Sequence, residues 1–516
     1  MSMIIKKSSH PLIKGALVLT AAGLITRILG FFYKIFLVSL IGAEGIGLYQ
    51  MVFPLYMLCV SLASSGISTA ISRFTAERLL VEGPAKARSL FLTGLAMALS
   101  FSLLIALPLY VLAKPAAVWY LGEERCLPLL RIMALSIPFE VLHGCVNAYM
   151  IGQKKTGFPA LSQLLEQSVR IGATWLLYQV FISRGLSPSP SLAAGGLLAA
   201  EGFTALLSVS LLAFRREKRP LARRLPSHPA FFENVRLIGR MALPVTGNRL
   251  MLNLLQSWEA ALIPSRLELF YHSTSAALSA YGVFTGMAMP LIMLPCTITG
   301  SFSLMLLPSV SEAHALGDGR KIEETVRSSL ALCVFMGVLS TAGFLCFGSS
   351  LGLLLYGDAR VGGYLTTLAW ICPFLYLTTT VSSILHGLGK TSHVFRHNLA
   401  GLAVRLAFTW FFVPFFGIQG CLWGLLASQL LTALLGIRSL GGSVSVSFSS
   451  MESILVPGLV SLAGTGLLKL LQRLLPVLAV RDSWICLFLS AGIWGCLVLP
   501  VSLAALKRIR RPSHAF

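Results

Sequence analysis

Residues 89–113 read SLFLTGLAMALSFSLLIALPLYVLA, an apolar run of 25 residues without a charged side chain. A run of this length can cross the hydrocarbon core of a bilayer as one α-helix. The whole chain has the same character, because 56% of its 516 residues are hydrophobic, only 12% are charged, and the mean hydropathy is +0.80. Soluble domains have about 25% charged residues, so this composition excludes a soluble enzyme. It predicts an all-α polytopic membrane protein.

Apolar runs separated by charged connections predict fourteen transmembrane helices, or spans. Their approximate boundaries are 13–41, 46–71, 89–113, 127–151, 158–182, 192–214, 237–263, 276–307, 326–349, 364–386, 397–415, 418–437, 453–475 and 483–506. Clusters of lysine and arginine occur in every second connection, and such clusters mark the cytoplasmic side of a membrane protein. The alternation predicts that both termini lie in the cytoplasm.

The sequence also repeats itself with a shift of 235 residues. The shift places Pro138-Phe139 on Pro373-Phe374 and Val169-Arg170 on Val404-Arg405, without a gap. Six spans separate the copies, and six is an even number, so both copies have the same orientation in the membrane. Parallel repeats of this kind occur in transporters. The repeat predicts two six-helix lobes in parallel pseudo-twofold arrangement, at residues 1–225 and 226–445. Residues 446–516 then add two helices and a basic cytoplasmic tail.

Spans one and seven contain charged and polar side chains, and a charge at the bilayer centre costs about 2.5–3.5 kcal/mol. Arg27 and Lys34 are seven residues apart, so they share one face of span one. Span seven, the counterpart of span one in the repeat, has Arg249 at its centre, followed by Asn253 and Gln256. These five residues predict a positively charged central cavity that binds an anionic cargo.

Other interpretations of these cations remain open. Lys34 could extend to the membrane surface, and Glu166 or Glu259 could neutralise a neighbouring charge. Arg170 and Arg405 occupy equivalent positions in the repeat, which favours a structural role in which each ties helices to carbonyls or carboxylates.

The sequence has no motif for chemistry or cofactor binding. Nearly all of the ten cysteines lie inside apolar runs, without a CxxC pair, and no histidine–cysteine cluster has metal-ligand spacing. Residues 389–391 read GKT, but a phosphate-binding loop needs glycine where Ile384 stands. The net charge of +22 comes from short basic clusters between apolar runs, which argues against a nucleic acid partner. We therefore expect a transporter rather than an enzyme, with no cofactor and no metal site.

Several segments resemble one family of membrane proteins. Residues 23–31 (GLITRILGF), 42–50 (GAEGIGLYQ), 65–68 (SGIS) and 306–313 (LLPSVSEA) resemble the stage V sporulation protein B family, a polysaccharide-exporter branch. Its superfamily also contains lipid II flippases and multidrug extruders. The resemblance implies two six-helix lobes around a central cavity, with two further helices, in a bacterial cytoplasmic membrane. It also implies transport of an undecaprenyl-linked sugar pyrophosphate in cell-wall or spore-cortex synthesis.

This chain differs from lipid II flippases at several positions that bear on which cargo it binds. Those proteins share the span-one arginine, here Arg27, but have a second basic residue six positions later, where this chain has Tyr33 followed by Lys34. They have further basic residues where this chain has residues 59–61, and an arginine where Thr285 stands. These differences leave the identity of the lipid-linked cargo open.

The leading hypothesis is a flippase for a lipid-linked sugar pyrophosphate, acting as a monomer among membrane lipids. Arg27, Lys34 and Arg249 would bind the pyrophosphate, and Asn253 and Gln256 would bond to the sugars. One alternative is an exporter of amphipathic cations, as in the multidrug branch. Another is a membrane scaffold that transports nothing and recruits envelope enzymes.

Overall fold

The computed structural model describes residues 11–214, 228–442, 456–474 and 483–509, and these ranges fold into helices without a β-strand. The main helices are α1 (Pro11–Val81), α2 (Pro84–Val111), α3 (Leu127–Gly152), α4 (Gly157–Ser183), α5 (Ser191–Phe214), α6 (His228–Tyr271), α7 (Thr274–Gly282), α8 (Met289–Ala315), α9 (Gly319–Tyr356), α10 (Ala359–Leu368), α11 (Cys372–Gly387), α12 (Thr391–Phe411), α13 (Ile418–Gly441), α14 (Val456–Leu474) and α15 (Trp484–Ile509). Short helical turns fill several connections.

Three local features relate these helices to the predicted spans. Helix α1 is interrupted at Gly42, whose φ of 68° lies in the region that favours glycine, so α1 supplies two spans. A π-helical turn at Val283–Ala288 joins α7 to α8, and a 3₁₀ turn at Ala369–Ile371 joins α10 to α11. Counted in this way, the described helices form fourteen segments. Eight helices in the described ranges are long and apolar enough to cross a membrane by length and composition alone. The predicted all-α, multi-pass fold is confirmed.

The chain divides into two compact units, Met1–Ser265 and Arg266–Phe516. Within the first unit, helix backbones approach closely at crossings where one helix has a small residue. A Cβ on Gly152 of α3 would lie 2.6 Å from the carbonyl oxygen of Ser72 in α1. Beside this crossing, Phe91 of α2 stacks on Tyr149 of α3 with ring centroids 4.3 Å apart. The lobe boundaries predicted near residues 225 and 445 stay a prediction.

The second unit has its own apolar core. One buried cluster joins α8, α9 and α11 with side chains of α12 and α13, and includes Val310, Val326 and Ile384. A smaller cluster joins α9 to the last two helices, where Trp494 of α15 meets Phe347 of α9 edge-on, with centroids 6.0 Å apart. Burial of these apolar groups therefore connects α14 and α15 to α9.

We expect Gly337→Ala to lower the stability of the second unit. A Cβ at Gly337 of α9 would meet the Cα atom of Pro373 in α11 and lie 2.9 Å from its backbone nitrogen. Overpacking of this kind costs about 1–3 kcal/mol. Gly343 lies in the same helix with no atom within 4 Å of its would-be Cβ, so Gly343→Ala is the matched control. Thermal denaturation of both purified variants in detergent measures the effect, and equal midpoints would contradict it.

Candidate functional site

All five residues predicted to bind cargo lie in the first compact unit, on α1 and α6. Arg27, Arg249 and Gln256 are exposed, whereas Lys34 and Asn253 are partly buried. Among the residues that the structure describes, no carboxylate forms an ion pair with the three cations, and no hydrogen bond joins any two of the five. Glu166 neutralises a different cation, Arg170, at 2.6 Å.

Helix α1 directs Tyr33, the residue before Lys34, into the core of the unit. Tyr33 is buried, and its hydroxyl is 3.1 Å from Thr174 Oγ1 of α4. Thr174 Oγ1 in turn donates to the carbonyl oxygen of Arg170, at 2.8 Å. Because successive helical residues are rotated by about 100°, Lys34 lies on a different face from Tyr33. Tyr33 therefore holds α1 against α4, on a different face of α1 from Lys34.

The polar stripe on α6 meets the second half of α1. Asn253 donates from Nδ2 to Ser61 Oγ at 2.6 Å. One turn further on, Ser257 Oγ accepts a hydrogen bond of 3.0 Å from the Tyr120 hydroxyl. An amide has a second donor hydrogen and an acceptor oxygen, so Asn253 keeps hydrogen-bonding capacity for a further partner.

Helix α6 also contacts α1 and α2 near its own N-terminus, an association that we call the α6 contact. Asn234, which is buried, donates to Ser89 Oγ at 3.3 Å and to Thr93 Oγ1 at 3.2 Å, both on α2. Its Oδ1 accepts a hydrogen bond of 2.8 Å from Arg78 Nη1 of α1. Asn234 therefore holds three helix segments together, a role that the sequence analysis missed.

The α6 contact is completed by a close approach of backbones. A Cβ at Gly66 of α1 would meet the carbonyl oxygen of Ala242 and Oγ1 of Thr246, both on α6. The crossing therefore requires glycine at position 66, inside the SGIS segment that resembles the family.

A second group of side chains that the sequence analysis did not bring together lies between α3, α4 and α5. We call it the His143 cluster, and it consists of Glu140, His143, Glu166, Arg170 and Glu201. His143 Nδ1 is 3.2 Å from Glu201 Oε2, and His143 Nε2 is 3.8 Å from Glu166 Oε2. Arg170 Nη2 donates to Glu166 Oε1 at 2.6 Å and to Glu201 Oε1 at 3.2 Å. The structural role predicted for Arg170, tying helices through carboxylates, is confirmed.

Burial makes the His143 cluster unusual. Glu201 is 1% exposed and His143 is 5% exposed, yet Glu201 Oε2 has no hydrogen-bond partner. Arg170 Nε is likewise buried without a partner. Buried polar atoms are normally hydrogen-bonded, so unsatisfied ones require an explanation.

Part of the His143 cluster could have been predicted from the sequence. Glu140 and His143 are three residues apart, and Glu166 and Arg170 are four apart, so each pair shares a helix face. Glu201 offers no such signal, because only the packing of α5 against α3 and α4 places it beside the others.

Comparison with known proteins agrees with this architecture. The family model described as polysaccharide biosynthesis protein matches residues 12–314. Stage V sporulation protein B of Bacillus subtilis (strain 168) is 28% identical over 459 residues, which cover 88% of each chain. Lipid II flippase MurJ of the same organism is 24% identical over 427 residues, which cover 77% of this chain and 76% of the relative.

Solved structures show the same fold. A lipid II flippase MurJ in an inward closed conformation aligns with a TM-score of 0.72 at 14% identity, over 96% of this chain and 100% of that one. An inward-facing multidrug resistance MATE family transporter of the MOP superfamily aligns with a TM-score of 0.66 at 16% identity, over 83% and 98% of the two chains. The resemblance seen in the sequence is thereby confirmed. The chain belongs to the polysaccharide biosynthesis protein family and has the fold of the MOP-superfamily transporters.

Proposed function

We propose that this protein is a flippase that moves an undecaprenyl-pyrophosphate-linked sugar across the bacterial cytoplasmic membrane by alternating access. The observation that carries the proposal is the pair of exposed arginines, Arg27 and Arg249, on membrane helices without a carboxylate partner among the described residues. Cations inside membrane proteins mark ion and substrate pathways, and these two favour an anionic cargo. The cargo is a peptidoglycan precursor or a related polysaccharide unit, used in the cell wall or spore cortex.

The chemistry of the five candidate residues suits such a cargo. Guanidinium groups bind phosphate oxygens with two parallel hydrogen bonds, and Arg27 and Arg249 would hold the pyrophosphate in this way. Lys34 adds a third positive charge as an ammonium group. The amides of Asn253 and Gln256 would donate to and accept from sugar hydroxyls. The protein acts as a monomer in this proposal.

In this proposal, the α6 contact is the place where the helices separate during transport. Helix α6 begins the second repeat, yet its first half is hydrogen-bonded to α1 and α2 through Asn234. Alternating access needs the two repeats to separate on one side of the membrane at a time. In the proposed cycle the α6 contact parts to admit cargo from the cytoplasm and closes again before release outside.

Purified protein in liposomes tests the proposal. Liposomes that contain lipid II, the peptidoglycan precursor, should show protein-dependent movement of this lipid between leaflets, measured by the access of an enzyme added outside. Liposomes with inactive, heat-treated protein are the control. Export of cationic dyes without lipid II movement would instead support the multidrug alternative. Absence of both activities in folded protein would support a scaffold.

The proposed orientation gives a separate prediction. Ser187 and Ser392 are exposed, and the predicted topology places them on opposite sides of the membrane. In a cysteine-free background, Ser392→Cys should react with an impermeant maleimide only after the cytoplasmic side is opened. Ser187→Cys should react in cells whose outer layers have been removed and whose cytoplasmic membrane is still sealed. Reversed labelling at either site would refute the predicted topology with cytoplasmic termini.

A further inference from the structure

The His143 cluster contains more acidic than basic side chains. Its three carboxylates, Glu140, Glu166 and Glu201, face one guanidinium, that of Arg170, and one imidazole, that of His143. The cluster lies among membrane helices, where uncompensated charge is costly. Three tyrosines of α1 also approach it, Tyr33, Tyr49 and Tyr56, but neutral phenols add no positive charge.

Three ligand atoms of the cluster converge. One carboxylate oxygen from Glu140, one from Glu201 and one ring nitrogen of His143 all lie within 4.8 Å of one another. Independently, Glu201 Oε2 is buried and lacks a hydrogen-bond partner while it faces His143 Nδ1 at 3.2 Å. An orphaned acceptor directed at a second ligand atom is the arrangement that a bound cation satisfies.

The surrounding residues resemble the outer shell of a metal site. Metal-binding histidines commonly turn the other ring nitrogen to a carboxylate, and here Nε2 of His143 is 3.8 Å from Glu166 Oε2. Arg170 holds the other oxygen of both Glu166 and Glu201, which fixes their orientation. Glu166 and Arg170 would orient the metal ligands without themselves contacting the ion.

We propose that Glu140, His143 and Glu201 bind one divalent transition-metal ion, of the Zn²⁺ or Mn²⁺ class. One imidazole nitrogen and two carboxylate oxygens form a mixed donor set that such ions accept, whereas Mg²⁺ and Ca²⁺ prefer oxygen alone. The two positive charges of the ion would offset two of the three carboxylates, and Arg170 offsets the third. The site joins α3 to α5, so a bound ion ties together two helices of the first unit. No such site was expected from the sequence, where the three ligands lie up to 61 residues apart along the chain.

Metal binding by the purified full-length protein tests this proposal without any cargo, so its outcome is independent of the proposed transport. Protein treated with a chelator is dialysed against Zn²⁺ or Mn²⁺ alone, and bound metal is measured by mass spectrometry. We expect one equivalent per chain, with at least a tenfold loss of affinity in Glu201→Gln and in His143→Gln. Glu44→Gln is the matched control, because Glu44 is a carboxylate paired with an arginine, Arg125, outside the cluster.

A second measurement uses the unaltered protein, in case the variants fold poorly. Binding of Co²⁺ should give the visible absorption of an ion with nitrogen and oxygen ligands, and Zn²⁺ should displace it. Absence of stoichiometric metal from the wild-type protein would overturn the proposal, as would equal binding by Glu201→Gln. Infrared detection of protonated carboxyl groups in metal-free and metal-treated protein alike would also overturn it, because protons would then neutralise the cluster.

Discussion

Arg27→Ala and Arg249→Ala are each expected to abolish transport of the lipid-linked sugar while leaving expression and folding near normal. Both side chains are exposed and neither forms an ion pair within the described residues, so truncation leaves no buried partner behind. Each hydrogen bond to a charged group contributes about 1.5–3 kcal/mol, which corresponds to about a tenfold to hundredfold change for each bond lost. A bidentate contact to pyrophosphate doubles this free energy to about 3–6 kcal/mol, which corresponds to about a hundredfold to ten-thousandfold loss. The initial rate of lipid II movement in liposomes measures it.

Two further variants make this test specific. Arg27→Lys should retain part of the activity, because the charge remains but the two-pronged geometry is lost. Arg184→Ala is the matched control, since Arg184 is an exposed arginine that follows α4 and lies outside both polar stripes. Wild-type rates in both Arg27→Ala and Arg249→Ala would rule out the cargo site proposed on α1 and α6.

The number and extent of the helices could be predicted from the sequence because they depend on local composition. An apolar run long enough to cross a bilayer must form a helix, since its backbone groups find no other hydrogen-bond partners there. Breaks that do not follow a charged connection are local as well. Gly42 interrupts α1 through its positive φ, and a π-helical turn at Val283–Ala288 passes inside one predicted span.

The contacts between helices could not be predicted in the same way. Asn234 bonds to Ser89 and Thr93, which precede it by more than 140 residues, and no periodic pattern in the sequence connects them. Glu201 likewise joins Arg170 only because α5 packs on α4. Polar residues in membrane helices can be recognised from sequence as requiring a partner. The partner of each polar residue depends on which helices pack together and on how far along each helix the two residues lie.

Covalently closing the α6 contact is expected to stop transport completely. Asn234 and Ser89 are in hydrogen-bonding contact at 3.3 Å, so Ser89→Cys with Asn234→Cys places two thiols at the meeting point of α6 and α2. In a cysteine-free background, oxidation or a short thiol-reactive linker should join them. If α6 must leave α2 to admit cargo, the joined protein cannot complete its cycle. Lipid II movement in liposomes should then fall to the level of liposomes without protein, and reduction of a disulfide should restore it.

A second cysteine pair separates this effect from general rigidity. Glu44 and Arg125 form an ion pair of 2.7 Å between α1 and the turn before α3, and neither residue belongs to α6. Joining Glu44→Cys to Arg125→Cys fixes two parts of the first repeat to each other, and a repeat that moves as one body tolerates such a link. We therefore expect full transport from this control. Undiminished transport by the joined Ser89–Asn234 pair would show that cargo enters without opening the α6 contact. Equal arrest by both pairs would show that the first repeat itself changes shape during the cycle.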